Sequence, residues 1–358
     1  MSTTLLSPAA EGFLAATGYG AAHRVALPQD AGHRRYTRLS GAVPRPALLM
    51  DCAGAGRVGL TPEQDLLPYL AVGAHLRGLG LSAPEVLAED RAAGLLLVED
   101  LGTETHASLL DAGADPVPLY VAAAEALAAL HAAPPPPGLP DYEAPRMAQM
   151  AALTFLDWWW LEAFGQDAAP AVRAEFAQAM HAMLAPFAGT GGFVHRDYIP
   201  GNLIPLPGRT GPRRTGIIDF QDAGHGHPAY DLLSLTQDAR RDVAPDTRRA
   251  ATEAYLAARP ELDAGAFAAA TAAMAAQRHL RIAALWVRLA RRDGKPHYLR
   301  HGPRCWALLD AALQHEAAAP LARFLDRHVP PALRSNPASL TSHPIDSPPA
   351  DPLKDTAA

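Results

Sequence analysis

Cysteine and lysine are almost missing from this sequence. Its 358 residues include two cysteines, Cys52 and Cys305, and the lysines are Lys295 and Lys354. The cysteines are far apart and have no CxxC partner, which excludes a disulfide framework and a thiolate metal cage. We therefore expect both cysteines to be ordinary reduced thiols.

Long apolar runs and strong charge of one sign are absent as well. No stretch of about 18 apolar residues is uninterrupted, because residues such as Glu125 and Arg281 break the alanine- and leucine-rich segments. The first residues carry no cation before His23 and no long apolar core, so they lack the layout of a secretory signal. The formal charge is −6, and the scattered arginines form no basic stripe for nucleic acid. We expect a soluble, cytoplasmic protein without a nucleic-acid partner, and a monomer.

The length of the chain predicts two lobes, since single cores stop growing at about 250–300 residues. Hydrophobic residues make up 49% and charged residues 19%, which is typical of a globular protein. Up to residue 101, short apolar pieces such as "PALLMDC" and "LLLVEDLG" are separated by turn residues, which predicts strands. The sequence therefore predicts an α+β fold whose first lobe, residues 1–101, is rich in strands.

Residues 102–334 have a different character, with long alanine-rich stretches of helical spacing. These stretches are "LYVAAAEALAALHAA", closed by prolines, "AVRAEFAQAMHAMLAPF", and "AFAAATAAMAAQRHLRIAALWVRLARR", closed by Gly294 and Pro296. One hairpin is embedded among them, since "NLIPL" and "TGIIDF" flank a turn-rich segment. The tail, residues 335–358, is polar and proline-rich, and we expect it to be disordered.

The segment "FVHRDYIPGNL" and the hairpin that follows it carry the chemistry. Asp197 lies in a loop, Asn202 stands where a strand begins, and Asp219 ends the returning strand. The hairpin is therefore expected to bring three oxygen-bearing side chains together. Phosphoryl transfer needs such an arrangement, because it depends on positioning and on Mg²⁺ bridging phosphate oxygens.

Each of these side chains has a chemical role to fill. Hard cations prefer carboxylate and amide oxygens, which Asp219 and Asn202 supply. A separate carboxylate can orient the acceptor hydroxyl and accept its proton, and Asp197 is left for this role. His195 is expected to support the loop through hydrogen bonds. "HRDYIPGN" followed by "IIDFQD" thus resembles the catalytic loop and metal-binding aspartate of the protein-kinase-like fold.

Within that fold the sequence is similar to the aminoglycoside phosphotransferase family of small-molecule kinases. "LLLVEDLG" resembles the family's inter-lobe hinge, and "GHPAYDLLSL", with Asp231, resembles its segment after the metal aspartate. The similarity covers about residues 30–292. It implies a bilobal enzyme that uses ATP and Mg²⁺, a nucleotide-binding first lobe, and a second lobe for catalysis and acceptor binding. It also implies that adenine meets the hinge at Glu99 and Leu101 through backbone groups.

A narrower resemblance is to the cell-wall sugar kinases of this family. It rests on "DAGHRRYTRL", "LLMDC", "VHRDYIPGNL" and "IIDFQDAGHGHPAYDLLSLTQD" in that order. These kinases phosphorylate the anomeric hydroxyl of N-acetylmuramate and N-acetylglucosamine during peptidoglycan recycling. The alternatives are a kinase for another small alcohol, such as an aminoglycoside, choline or homoserine, or a nucleotide-binding pseudokinase without turnover.

One family feature is missing, and this motivates the pseudokinase alternative. Kinases of this fold hold the nucleotide phosphates with a lysine on a strand of the first lobe, where this chain has Met50. The available cations nearby are Arg34, Arg35 and Arg38. A guanidinium fork suits phosphate oxygens at least as well as an ammonium. Alternation along a strand favours Arg38, because it places that residue on the same face as Tyr36.

The acceptor site is the least defined by sequence. Aromatic faces suit sugars, and the run "FLDWWWLEAF" offers Trp158 and Trp159, although at least one ring of such a run belongs in the core. Asp222 and His225 follow the metal aspartate and are further candidates. Glu63 and Asp65 begin a helix of the first lobe. They either face the phosphates or form a solvated helix start.

Overall fold

The computed structural model describes residues 6–28, 34–52 and 60–341. Part of the predicted phosphate-covering loop and most of the predicted tail, residues 342–358, lie outside the described residues. The first tail residues are described and packed: the indole Nε1 of Trp159 donates to the carbonyl oxygen of Ser335 at 2.8 Å.

The chain divides into two compact units. The first unit comprises Met1–Leu139 and His195–Ala223, and the second comprises Pro140–Val194 and Gly224–Ala358. The predicted nucleotide lobe and the catalytic hairpin thus fall in one unit. The sequence-based boundary at residue 101 stays a prediction.

An antiparallel sheet forms the centre of the first unit. Its strands have the spatial order β1-β2-β3-β5-β4. They span His23–Ala26 (β1), Arg35–Ser40 (β2), Ala47–Asp51 (β3), Val86–Asp90 (β4) and Leu95–Glu99 (β5). Leu39, Leu49 and Leu97 are buried in one apolar cluster with Ala10 and Leu14. The predicted strand-rich first half is confirmed.

Helices and a hairpin complete the first unit. The helices span Pro8–Ala16 (α1), Pro62–Gly78 (α2), His106–Asp111 (α3) and Pro116–His131 (α4). Helix α2 begins at a capping box, in which the Thr61 hydroxyl accepts from the Gln64 amide and the Gln64 side chain accepts from the Thr61 amide. The predicted hairpin is present as Leu203–Pro205 (β7) paired antiparallel with Thr215–Ile217 (β8).

The second unit is mainly helical. Its helices span Ala144–Thr154 (α5), Trp160–Phe164 (α6), Pro170–Leu184 (α7), Ala229–Thr236 (α8), Pro245–Ala257 (α9), Ala264–Arg292 (α10), Gly302–Leu313 (α11), Ala319–His328 (α12) and Ala338–Thr341 (α13). A short ribbon pairs Gly192–Val194 (β6) with Gly224–Gly226 (β9). None of the described helices is long and apolar enough to span a bilayer.

Helices α5 and α6 are joined by one π-helical segment, Phe155–Trp159. Its rings build the core of the second unit. Trp159 stacks on Phe155 with centroids 5.0 Å apart and lies 5.3 Å from the Trp306 ring. Apolar burial of this kind fixes the helices against one another. The sequence pattern did not indicate the π turn.

Candidate active site

The catalytic hairpin brings the predicted residues together. The Asn202 side-chain amide donates to the backbone carbonyl of Asp197 at 2.9 Å and to Asp219 Oδ2 at 3.3 Å. The backbone amide of Ile218 donates to the carbonyl of Asn202 at 3.1 Å, so the two hairpin arms meet at this point. Asn202 therefore links the predicted catalytic loop to Asp219, the aspartate that the sequence predicts to bind metal.

The backbone is bent sharply at two positions beside this link. Asp219 has φ +60° and Arg196 has φ +75°, a region that residues other than glycine rarely adopt. The strain at Asp219 is held by hydrogen bonds to both carboxylate oxygens, since Gln221 Nε2 donates to Oδ1 at 2.7 Å. Strained residues held in this way are concentrated at functional sites.

Both aspartates keep solvent-exposed surface. The surrounding protein nevertheless displaces water from the carboxyl of Asp219, and this raises its pKa above the ordinary value. The hydrogen bond from Gln221 lowers the pKa of Asp219, whereas the negative charge of Asp197 raises it further. A cation beside Asp219 would relieve this unfavourable environment.

Buried residues hold the loop from behind. His195 is 1% exposed, and its Nε2 lies 3.0 Å from the carbonyl oxygen of Ile218. The hydroxyl of buried Tyr198 donates to the carbonyl of Ala123 in α4 at 2.9 Å. His195 thus has the hydrogen-bond contact that was expected of a residue supporting the loop.

The segment after the metal aspartate packs on helix α2. Phe220 is buried, and its ring centroid lies 4.9 Å from that of Tyr69. A Cβ at Gly73 would lie 3.2 Å from Phe220 Cζ, so the helix approaches the ring as closely as glycine allows. Asp219 is therefore connected to α2 through its neighbour in the chain.

Arg34 and Asp65 form an ion pair that is almost inaccessible to solvent. Arg34 NH2 lies 2.9 Å from Asp65 Oδ1, and the side chains are 9% and 2% exposed. Burial alone would lower the pKa of Arg34, but acidic neighbours, Asp65 foremost, raise it above its ordinary value. The prediction that these residues form a solvated helix start is therefore wrong for Asp65, which is buried. Glu63 is exposed, in agreement with that prediction.

Arg34 also belongs to the electrostatic surroundings of the catalytic hairpin. The charge of Asp222 contributes to the pKa of Arg34. Tyr36 pairs with Met50 across the sheet, and its hydroxyl donates to the Met50 sulfur at 3.1 Å. Burial raises the pKa of Tyr36, and the charge of Asp219 adds to this shift. Arg34 and Tyr36 therefore both interact electrostatically with acidic groups of the hairpin segment.

Arg38, which the strand pattern favoured, has another partner. Its Nε lies 2.6 Å from Asp100 Oδ2, and its NH2 donates to the carbonyl of Gly102 at 3.0 Å. Arg38 thus contacts the hinge segment, and the preference for Arg38 over Arg34 and Arg35 as the phosphate cation stays a prediction. Arg35 is exposed at the start of β2.

The acidic side chains of the hinge segment, Glu99 and Asp100, form ion pairs with arginines. Glu99 Oε1 lies 3.1 Å from Arg209 NH2, and the backbone amide of Glu99 donates to the carbonyl of Glu85 at 2.8 Å. With Asp100 bound to Arg38, backbone groups near Leu101 are what a nucleotide base can meet. Contact of adenine with backbone groups at Glu99 and Leu101 stays a prediction.

The predicted acceptor residues differ in their burial and in their contacts. Trp159 is fully buried, so it has no face for a sugar, and its predicted role in the pocket is wrong in this structure. Trp158 is half-buried and stays a candidate. His225 Nδ1 lies 3.6 Å from Glu143 Oε1. The sequence did not indicate this neighbour of His225. Asp222, also half-buried, accepts from Arg196 NH1 through its backbone carbonyl at 2.8 Å.

The donor set fits a hard cation that is shared with phosphate. In the described ranges no group of three or more His, Cys, Asp or Glu side chains is arranged to hold a metal. The carboxylate of Asp219 and the amide oxygen of Asn202 would supply two ligands of the kind Mg²⁺ prefers. Phosphate oxygens and water complete such sites. The raised pKa of Asp219 agrees with a place reserved for a cation.

Comparisons with known proteins agree on this chemistry. The profile described as "Phosphotransferase enzyme family" matches residues 23–268. N-acetylmuramate/N-acetylglucosamine kinase of Caulobacter vibrioides is 40% identical over 89% of this chain and 95% of its own length. The protein of that name from Pseudomonas aeruginosa is 31% identical over 82% and 84%. A crystal structure of a choline/ethanolamine kinase family protein from Mesorhizobium loti has the same fold, with TM-score 0.58 and 17% identity over 89% of this chain and 98% of that one.

Proposed function

Because the chain belongs to the phosphotransferase enzyme family, we propose that it transfers the γ-phosphoryl group of ATP to the anomeric 1-hydroxyl of N-acetylmuramate and N-acetylglucosamine. The observation that carries the proposal is the junction of Asp197, Asn202 and Asp219 at the solvent-accessible end of the hairpin. The named relatives support the choice of amino sugars over other alcohols. Their names also support a place in cell-wall recycling.

Asp197 is the group that acts on the acceptor. Its exposed carboxylate orients the sugar hydroxyl for in-line attack and accepts the proton as the new bond to phosphorus forms. Asn202 holds the loop that carries Asp197 through the 2.9 Å bond to its carbonyl. The loop is thus fixed before substrate arrives, which lowers the entropic cost of the reactive geometry.

Asp219 and Asn202 would hold Mg²⁺, which neutralises phosphate charge when it is bound. Arg34, held by Asp65, would bind phosphate oxygens in place of the family's lysine, and its fixed guanidinium is already oriented. Adenine would lie against backbone groups at the hinge. Of the acceptor candidates, Trp158, Asp222 and His225 remain in the proposal. A cytoplasmic location and a monomeric state stay predictions.

The test is incubation with Mg-ATP and each sugar, followed by phosphorus NMR of the product. The proposal predicts a glycosyl phosphate, whose phosphorus signal is split by the anomeric proton. An ester at another carbon would reject the anomeric assignment. ATP binding without transfer to amino sugars, aminoglycosides, choline or homoserine would favour the pseudokinase.

A further inference from the structure

A third segment of the first unit lies beside the catalytic hairpin. Ser82 forms a parallel bridge with Gly216 of β8, and the backbone amide of Ile217 donates to the Ser82 carbonyl at 2.7 Å. The Ser82 hydroxyl donates to the carbonyl of Arg213 at 2.7 Å, and Ser82 is buried. Strand β8 is therefore held on one side by β7 and on the other by Ser82.

Arg209, in the turn between β7 and β8, connects this segment to the hinge. Its NH1 donates to the Ser82 hydroxyl at 2.8 Å, and its NH2 donates to Glu99 Oε1 at 3.1 Å. The two terminal nitrogens of the guanidinium thus have one partner each, and the planar fork fixes the orientation of the side chain. The turn of the hairpin is therefore attached both to the hinge and to the segment beside β8.

The carboxylate of Glu99 is held from the sheet as well. The backbone amide of Glu85 donates to Glu99 Oε2 at 3.2 Å, and Arg45 NH2 lies 3.6 Å from Glu99 Oε1. Both of these partners belong to the part of the chain that carries the sheet, whereas Arg209 belongs to the hairpin. Glu99 thus joins the sheet to the hairpin through its two oxygens.

The hinge also packs directly on β8. A Cβ at Gly216 would lie 2.9 Å from Leu101 Cδ1, so the Leu101 side chain approaches the strand as closely as glycine allows. Asp219 follows Gly216 by three residues in the same segment of the chain. The hinge is therefore linked through β8 to the aspartate that is proposed to hold the metal.

This inference rests on the proposed function, because it concerns how the chain holds ATP. A nucleotide that binds by its base and by its metal-bound phosphates must span two sites, and it binds more tightly when their spacing is already correct. We infer that Arg209 and Ser82 are positioning residues that keep the hinge at the required distance from Asp219. They act through Glu99 and β8 rather than on the nucleotide itself.

The test compares the calorimetric Kd of Mg-ATP with that of adenosine in the wild type and in Arg209→Gln. Mg-ATP should bind about 3- to 10-fold more weakly to the variant, because it must reach both the hinge and Asp219. Adenosine reaches only the hinge, so its Kd should stay at the wild-type value. Ser82→Ala should give the same pattern. Arg209→Lys should recover part of the loss, since it keeps a charged donor.

Steady-state kinetics give a second readout for the same variants. The KM for ATP should rise with the Kd of Mg-ATP, whereas kcat at saturating ATP and the KM for the sugar should stay unchanged. The reason is that Asp197, Asn202 and Asp219 keep their mutual contacts when Arg209 is replaced. A residue that served stability alone would lower the melting temperature without this separation of KM from kcat.

The matched control is Arg213→Gln. Arg213 lies in the same turn and is exposed, and its contact with Ser82 uses the backbone carbonyl, which the substitution leaves in place. Both of its Kd values should equal those of the wild type. Circular dichroism and melting temperature verify that each variant is folded.

Two results would overturn the positioning role while leaving the proposed function intact. One is an unchanged Kd of Mg-ATP in folded Arg209→Gln, and the other is an equal weakening of Mg-ATP and adenosine. A wild type that binds Mg-ATP but phosphorylates neither sugar would reject the proposed function alone. A wild type that binds no Mg-ATP would reject both.

Discussion

Arginines of the two units differ in whether a carboxylate of the protein forms an ion pair with them. In the first unit, Arg34 and Arg38 are each held by a carboxylate of the protein, Asp65 and Asp100, at 2.9 and 2.6 Å. On α10 of the second unit, Arg288 has no such partner among the described residues. A guanidinium held by a carboxylate of the protein is oriented before any ligand binds. The first unit therefore contains two arginines of this kind, Arg34 and Arg38.

The largest effect is expected at the catalytic loop of the first unit. Asp197→Asn keeps the size of the side chain but removes the proton acceptor, so kcat should fall by about 10²–10⁴-fold with the fold unchanged. A steady-state assay with the better sugar checks this. Asp246→Asn on α9, 80% exposed, is the control and should have wild-type kcat. Near-normal turnover in Asp197→Asn would remove Asp197 from the mechanism.

The next effect distinguishes the two paired arginines. Arg34→Gln should raise the KM for ATP about 10- to 100-fold, because a charged contact to phosphate is lost. It should also lower the free energy of unfolding by about 3–5 kcal/mol, since the buried carboxylate of Asp65 loses its ion pair with Arg34. Urea unfolding and ATP kinetics measure the two effects.

Arg38→Gln is the comparison for that pair, because Arg38 is more exposed and serves the hinge. A smaller change in the KM for ATP is expected from it. If Arg38→Gln raises the KM for ATP more than Arg34→Gln does, the strand-based choice of Arg38 is right after all.

A smaller, purely structural effect separates two neighbouring tryptophans of the second unit. Trp159→Ala should lower the free energy of unfolding by about 3–5 kcal/mol, because it leaves a cavity between Phe155 and Trp306. Trp158→Ala, at a half-buried position, should cost less stability and raise the KM for the sugars. Thermal melts and sugar kinetics of both variants test this. Equal destabilisation would contradict the assignment of Trp158 to the pocket.

The smallest effect concerns pH. The raised pKa of Asp219 means that this carboxyl takes up its proton at a higher pH than an ordinary aspartate. Mg²⁺ affinity should therefore decline earlier on acidification, by up to about tenfold per pH unit below that pKa. Without cation, the same shift lowers the free energy of unfolding as the pH rises from the ordinary aspartate pKa through the raised one.

Calorimetric titration of Mg²⁺ at several pH values measures this dependence, and Asp219→Asn is its control. The variant should bind weakly at every pH and lose the proton-linked part. A pH-independent Mg²⁺ affinity in the wild type would show that Asp219 is not the ligand.

The sequence predicted what is encoded over short distances. The segment from Asp197 to Asp219 contains two strands and a turn, so its spacing alone brings Asn202 to Asp219. Strand alternation and helix spacing gave the sheet and the long helices for the same reason. These patterns repeat every two or every 3.6 residues and depend little on the rest of the fold.

What the sequence did not predict depends on contacts between distant segments. Arg34 pairs with Asp65 across 31 residues, and Arg38 with Asp100 across 62, so strand alternation could not rank the two arginines. The choice of Trp159 over Trp158 for the core follows from Trp306, which comes from another helix. The sequence did contain one signal, the near absence of lysine. It left arginine as the cation available to bind phosphate in the first lobe.

The most direct test of the account is phosphoryl transfer by Asp219→Asn at saturating ATP and sugar, with Mg²⁺ varied over a wide range. The account predicts that folded Asp219→Asn loses kcat by at least about 10³-fold and that no Mg²⁺ concentration restores it. A variant that reaches wild-type kcat at ordinary Mg²⁺ concentrations would contradict the claim that this hairpin holds the metal for catalysis.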